Sequence, residues 1–399
     1  MAKKLNLENV YQYLLIILAF LMPLTVFGAN LIIVIICFLW LLSGHYKDKL
    51  LAVVNNKLMI ASITFFFLHI IGLAWTEDIN WGFHIVHKMW YFFLLLPILF
   101  SITRREYIKF YVASFLIAIA LTEIASYLVW FEIVPPFKNA TVENPTPFMS
   151  HISYNPILSF AIYIVLHQIF FNKKLSNLIF SFYGFFAISM CINMFITGGR
   201  AGQVSFFVIL AILIFQIFER QRIKSILLIL LIIPSIFVVS YQTSSMFNER
   251  VNLALKEIST HSEKEYSSVG LRINYAINSF EIIKNNPLVG VGTGDFPKEY
   301  KKINAINSPN LPETTNPHNM YTLVLVQLGF LGLLSMMSIF YYQIKLSFKS
   351  SKKYLRDVGF TLPLMFSVLM LSDSYLLGHY TTLMFVFFSS FLYKDFEKD

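Results

Sequence analysis

The chain has 399 residues, 57% of them hydrophobic and 13% charged, with a mean hydropathy of +0.65 and a formal net charge of +9. That composition excludes a soluble domain of this length and points to an integral membrane protein whose apolar runs approach roughly twenty residues. The excess of positive charge sits in short segments between those runs, so no nucleic-acid partner is expected.

In chain order the apolar runs predict about twelve spans, at 11–28, 30–43, 58–75, 83–101, 107–131, 152–171, 178–196, 201–218, 226–241, 319–344, 358–377 and 380–393. The first run lacks a small-residue cleavage site and is read as a retained span rather than a signal peptide. With the N-terminus inside, twenty of the 31 lysines and arginines fall in cytoplasmic segments, among them Lys3, Lys4, Lys353, Arg356, Lys394 and Lys398. Both termini are therefore expected to be cytoplasmic. Cys37 and Cys191 fall inside apolar runs and are read as small hydrophobes. No cysteine or histidine spacing suggests a metal, and no cofactor is expected.

Two outer segments stand apart. One, 132–151, carries Pro135, Pro136, Pro145 and Pro147. The other, 242–317, is about five times the length at which structureless loops become uncommon and is read as a small folded domain between spans 1–241 and 318–399. Within it, Ile273, Ala276, Ile277, Phe280 and Ile283 recur at helical spacing opposite Asn274, Asn278, Glu281 and Asn285. This pattern predicts an amphipathic helix lying over the membrane surface. The helix should stop at Asn285-Asn286-Pro287, after which Gly290, Gly292 and Gly294 allow tight turns or close approach to a ligand. No strand precedes this run, so a dinucleotide fingerprint is rejected. The loop's eight basic residues are offset by eight acidic ones, Glu263, Lys264 and Glu265 included, so any anion site must be local.

Three residues at the outer boundary could serve phosphate and sugar chemistry. Arg200 ends Thr197-Gly198-Gly199-Arg200, a turn so short that the spans it joins should be neighbours. His318 follows Asn316 and Pro317, read as an N-cap and first-turn proline. Both helix N-termini would offer free N–H groups and a positive dipole end to a diphosphate, and the same field should keep His318 a neutral base. Arg272 offers a guanidinium suited to phosphate. Each of the three also fits a plain interfacial role. His84 and Lys88 share one face of a span and suit headgroup contact or a second phosphate contact. Glu123 and Asp373 suit a polar packing network or a substrate contact.

The TGGRAG turn, the GLRINYAINSFEIIKNNPLVGVGTGDF segment and the PHNMYTLVLVQLGFLGLL helix start resemble the O-antigen ligase and polymerase family over 195–335. The resemblance implies an all-α polytopic membrane protein of about 12 transmembrane helices, GT-C-like, with a large, partly helical periplasmic loop. It implies a metal-independent glycosyltransferase of the bacterial inner membrane. Such an enzyme takes glycan from undecaprenyl diphosphate and delivers it to lipid A core or another glycan acceptor amid membrane lipids. His318 is then the base or acceptor-positioning residue, with Arg272 and Arg200 holding the diphosphate. The family's turn is closer to Thr-Gly-Ser-Arg, so Gly199 removes one hydroxyl contact. Lys88, His84, Asp373, Asn319 and Gly292 are expected at the substrate by position. A single dominant outer loop favours a ligase, while the 132–151 segment keeps a polymerase open. A transporter or flippase would instead place functional polar residues near the midplane, as only Glu123 is.

Overall fold

The computed structural model describes residues 7–259 and 267–396; Lys3, Lys4, Glu263, Lys264, Glu265 and Lys398 lie outside the described residues. The described residues form seventeen α-helices and no strand. In chain order they are α1 (Leu7–Leu21), α2 (Val26–Leu42), α3 (Tyr46–Val54), α4 (Lys57–Ile71), α5 (Ile79–Trp90), α6 (Leu96–Ile102), α7 (Ile108–Trp130), α8 (His151–Phe171) and α9 (Asn177–Ile196). There follow α10 (Arg200–Ile217), α11 (Arg222–Thr243), α12 (Ser245–Ser259), α13 (Ser268–Asn285), α14 (Phe296–Asn307), α15 (Met320–Ser347), α16 (Lys353–Leu369) and α17 (His379–Leu392). A π-helical turn, Tyr91–Leu95, joins α5 to α6. Pro97, the second residue of α6, has no N–H to continue the α-helical ladder back into this turn.

Among the described residues, eight helical stretches are long and apolar enough to cross a membrane, or nine if α2 and α3, bent by 116°, count as one. The protein is thus all-helical and polytopic, but length and composition support eight or nine spans rather than the expected twelve. The number twelve is not confirmed, because three of the expected spans fall below that length among the described residues. Helices α1, α16 and α17 have 15, 17 and 14 residues, or about 21–26 Å of rise against a hydrocarbon core of about 30 Å.

The chain separates into two compact units that cut across the expected 1–241, 242–317 and 318–399 division. The first comprises Met1–Ser43, Ile102–Asn252 and Ser350–Met365; the second comprises Gly44–Ser101, Leu253–Lys349 and Phe366–Asp399.

In the first unit α8 is the hub, packed against α9 and α10. A side chain at Gly202 would meet Asn155 Cβ at 2.3 Å, so the TGGRAG glycines let α8 and α10 touch backbone to side chain. Asn155 pins the turn, accepting from Thr197 Oγ1 at 2.7 Å and donating to Gly199 O at 3.3 Å. Helices α9 and α10, expected to be neighbours, each pack on α8 and make little contact with one another. Extended Thr197 redirects the chain between them. Glu123 accepts from Ser189 Oγ beside the Tyr154–Asn193–Ser126 cluster, so it belongs to a polar packing network among α7, α8 and α9. At the opposite end of α8, buried His167 and Asp357 meet at 3.1 Å, and Lys353 and Arg356 reach the same carboxylate.

In the second unit α15 packs along α4 and is broken at Gly329, where φ is +59 and ψ is −158. The free backbone groups at the break are taken up by 287–292. Val291 N donates to Val326 O at 2.9 Å, Gly292 N to Gln327 O at 3.0 Å, and Phe330 N to Pro287 O at 2.9 Å. The glycines are required by proximity, since a Cβ on Gly290 would lie 2.4 Å from the Gln327 backbone and one on Gly294 2.3 Å from that of Gly82. Asp295, 1% exposed, then holds the connection between α4 and α5. It accepts from Thr76 Oγ1 at 2.7 Å, Glu77 N at 2.7 Å and Asp78 N at 2.8 Å.

Helix α13 packs on α14 and α15 through a face other than its apolar one and leaves the apolar face open. Tyr275, Asn278, Ser279 and Ile282 are buried, while Ile277 and Phe280 are each 57% exposed. Asn278 is inside because Tyr300 and Asn304 satisfy its amide. Replacing Asp295 by Ala strands the two backbone N–H groups of Glu77 and Asp78. It should lower unfolding stability by about 3 kcal/mol, read as a lower thermal midpoint in detergent; an unchanged midpoint would show that the clamp does not hold the fold.

Candidate functional site

The segment between α14 and α15 presents the candidate imidazole. Asn316 folds it through a side-chain turn, Oδ1 accepting from His318 N at 3.0 Å and from Ser374 Oγ at 2.9 Å. His318 therefore precedes the helix, and Asn319 is the N-cap, its Oδ1 accepting from Thr322 N at 3.0 Å. This corrects the expectation that Asn316 caps the helix and that His318 sits in its first turn. His318 is left-handed, with φ +53, a conformation that costs a non-glycine residue of order 1–3 kcal/mol unless its surroundings impose it.

Those surroundings are specific. His318 Nδ1 faces Asp373 Oδ1 at 3.4 Å. That separation makes an electrostatic contact rather than a formed hydrogen bond, so Nδ1 is buried without a hydrogen-bond partner among the described residues. The His318 side chain is 36% exposed and that of Asp373 22%. Since Nδ1 is buried, the exposure belongs to the rest of the ring. Asp373 lies in the connection between α16 and α17 and accepts from Ser374 N at 2.7 Å and Asn316 Nδ2 at 3.1 Å. Burial opposes ionisation of Asp373. The His318 contact, the Ser374 N–H and the charges of His318 and Arg272 outweigh it and hold the carboxyl below the usual carboxylate range.

Helix α13 brings two further groups. Arg272 is exposed and has no ion pair or hydrogen bond among the described residues. By contrast Lys298, Lys301, Lys302 and Lys284 are each paired with a glutamate. Three residues on, and so on the same side of the helix, Tyr275 stacks on the His318 ring with centroids 6.1 Å apart and planes at 25°. Burial raises the Tyr275 hydroxyl above its ordinary range. Sequence reading missed Tyr275, although its spacing from Arg272 was the available signal.

The remaining candidates are placed as follows. Asn319 spends both polar atoms on structure, capping α15 and donating to Leu371 O at 3.2 Å. Gly292 uses its amide on the broken helix. His84 and Lys88 sit on α5, with His84 against the Trp81 ring at 4.9 Å, and neither makes a hydrogen bond or ion pair with the His318 group. Arg200 opens α10 in the first unit, where its turn is fixed by Asn155 and by Asn144, whose Oδ1 accepts from Gly198 N at 2.8 Å. Thus His318, Arg272 and Asp373 are brought together within the second unit, with Tyr275 and Asn316 as supports. Among the described residues no group of three or more histidines, cysteines or acids is disposed to hold a metal ion.

Residues 185–337 match the O-antigen ligase family model, a stretch that includes Arg200, Arg272, Gly292, His318 and Asn319. The resemblance carried by the sequence motifs is thereby supported. The match is to O-antigen ligase or polymerase-type enzymes, glycan-transferring proteins of membranes. No curated protein matches the chain.

Diethyl pyrocarbonate should modify His318, whose ring is partly exposed, and spare His69 and His167, which are 1% and 2% exposed. Peptide mass spectrometry of the labelled protein reads the result. Equal protection of all three would contradict the open ring edge described here.

Proposed function

We propose that this protein transfers a glycan from undecaprenyl diphosphate to an acceptor hydroxyl on the periplasmic face of the bacterial inner membrane, both termini being cytoplasmic. The role we assign is ligase, with polymer delivered to lipid A core. The observation that carries the reading is the His318–Asp373 pair with unpaired Arg272 beside it, His318 and Arg272 falling inside the segment that matches the family.

The chemistry follows from the two ring nitrogens. With Nδ1 turned to the Asp373 carboxylate, the neutral tautomer favoured carries its proton on Nδ1 and leaves the Nε2 lone pair free. Nε2 then takes the proton of the acceptor hydroxyl as its oxygen attacks the anomeric carbon. The bond from that carbon to the diphosphate oxygen breaks, and the electron pair leaves with undecaprenyl diphosphate. Arg272 is assigned to the phosphate charge that develops. Asp373 stabilises the imidazolium that forms and is not itself protonated, since its carboxyl is held below the ordinary range. The transfer is written without a metal. The strained backbone of His318 is consistent with a residue held in place for reaction.

His84 and Lys88 on α5 are proposed as further contacts to donor or headgroup. A polymerase reading is favoured by one feature, the 132–151 segment, whose Pro145, Thr146, Pro147 and Met149 are buried, making it a folded second outer segment.

His318→Ala should reduce transfer by about 10²–10⁴-fold while the protein stays folded in the membrane, and Arg272→Ala should do likewise. The first measurement is a gel of lipopolysaccharide and carrier-linked glycan from a strain lacking the gene, complemented with wild type or either variant. Bare core with long polymer stranded on the carrier supports the ligase, and core bearing one repeat unit supports the polymerase. Normal activity in well-expressed His318→Ala protein would remove the base assignment, and inhibition by chelators reversed by magnesium would contradict the metal-independent step.

A further inference from the structure

The first unit contains a cavity of about 900 Å3 that no step above uses. Its walls come from α7, α9, α11 and the start of α12, and it reaches Leu166 of α8. It follows α9 from Ala187 to Ile196, about 14 Å of helix rise, and α11 from Ser235 to Thr243, about 12 Å. That length and the apolar walls, Ile188, Ile192 and Val239 among them, suit a hydrocarbon chain rather than a hydrated solute. Three of the five hydroxyl residues on the wall are already spent on backbone carbonyls. Ser235 donates to Leu231 O, Thr243 to Val239 O and Ser244 to Phe195 O.

One end of the cavity is different. Glu143 and Glu249 line it there, both exposed and neither ion-paired among the described residues. Helices α7, α9 and α11 all finish at this end, at Trp130, Ile196 and Thr243, so their negative dipole ends add to the carboxylates. A cation is favoured at this rim and a bare phosphate is not. Next to Glu249 is Arg250, whose guanidinium lies against the Gly198 turn; a Cβ built there would be 3.2 Å from one of its nitrogens. Arg250 likewise has no acid partner among the described residues.

We propose that this cavity binds one chain of a phospholipid with a primary ammonium headgroup, the ammonium at Glu143 and Glu249 and the phosphate towards Arg250. The alternation of acid, acid and guanidinium complements a zwitterion. A polyprenyl diphosphate would bring several negative charges to two carboxylates and leave both unanswered. The inference rests on the first unit alone and stands or falls separately from the glycan-transfer reading.

The test uses the full-length protein in nanodiscs of equal phosphatidylethanolamine and phosphatidylglycerol, with the retained lipids counted by native mass spectrometry. Wild type should retain the ethanolamine lipid about threefold over the glycerol lipid. The double variant E143Q/E249Q should bring that ratio close to one, because the carboxylates are exposed and their removal leaves the fold intact. Ile192→Trp, which fills the cavity, should lower total retained lipid. Equal retention of the two lipids by wild type would overturn the proposal, as would an unchanged preference in E143Q/E249Q. Displacement of the ethanolamine lipid by undecaprenyl phosphate would assign the cavity to the carrier instead.

Discussion

The broken turn of α15 at Gly329 is the constraint from which the arrangement of the second unit follows. A helix interrupted among apolar neighbours exposes backbone N–H and C=O groups that no water or lipid satisfies, and such breaks persist only where protein supplies the partners. Here the partner is the chain itself, in the segment 287–292. Because that segment is held at four backbone hydrogen bonds, α13 before it and α14 after it have fixed places. Arg272 and Tyr275 on α13 are thereby brought to His318, which stands immediately before the same broken helix.

The glycines of Gly290-Val291-Gly292-Thr293-Gly294 take their meaning from this contact. A glycine-rich run near a suspected phosphate site invites a ligand-cradling reading, yet these glycines approach backbone of α15, α5 and the α4–α5 connection. The same holds for the TGGRAG turn, where Gly199 and Gly202 admit Asn155 and the backbone of α8. In both motifs the missing side chain is a packing requirement. Asp295 belongs with the glycines, since its carboxylate is wholly spent on the α4–α5 connection.

Electrostatics separates the candidate site from the rest of the outer segment. Lysines on α13 and α14 are matched with acids at the surface, contacts that contribute little individually. Asp373 sits instead in a partly buried setting, where His318 lies against its carboxylate and a stacked tyrosine, with exposed Arg272 near enough to act on the same carboxyl. There a charge is less screened, and the same groups have greater influence on a bound anion or a moving proton.

Apolar runs and charge bias are properties of composition, so the membrane-embedded, all-helical character of this chain was legible from the sequence. The ordered motifs likewise identified Arg200, Arg272 and His318 as the residues to watch. Span number was less legible, because α1, α16 and α17 are short among the described residues and α2 bends into α3, which hydropathy alone does not reveal. Only the tertiary structure decided which face of α13 is buried. Helical periodicity gave an apolar face without saying what it meets, and Asn278 goes inside on another face because Tyr300 and Asn304 answer it from α14. It also decided that Asn319 caps α15, that Asp373 is the acid facing His318, and that Tyr275 covers the ring. Residues 55 positions apart meet through packing between helices, and no local pattern encodes which acid will face which imidazole.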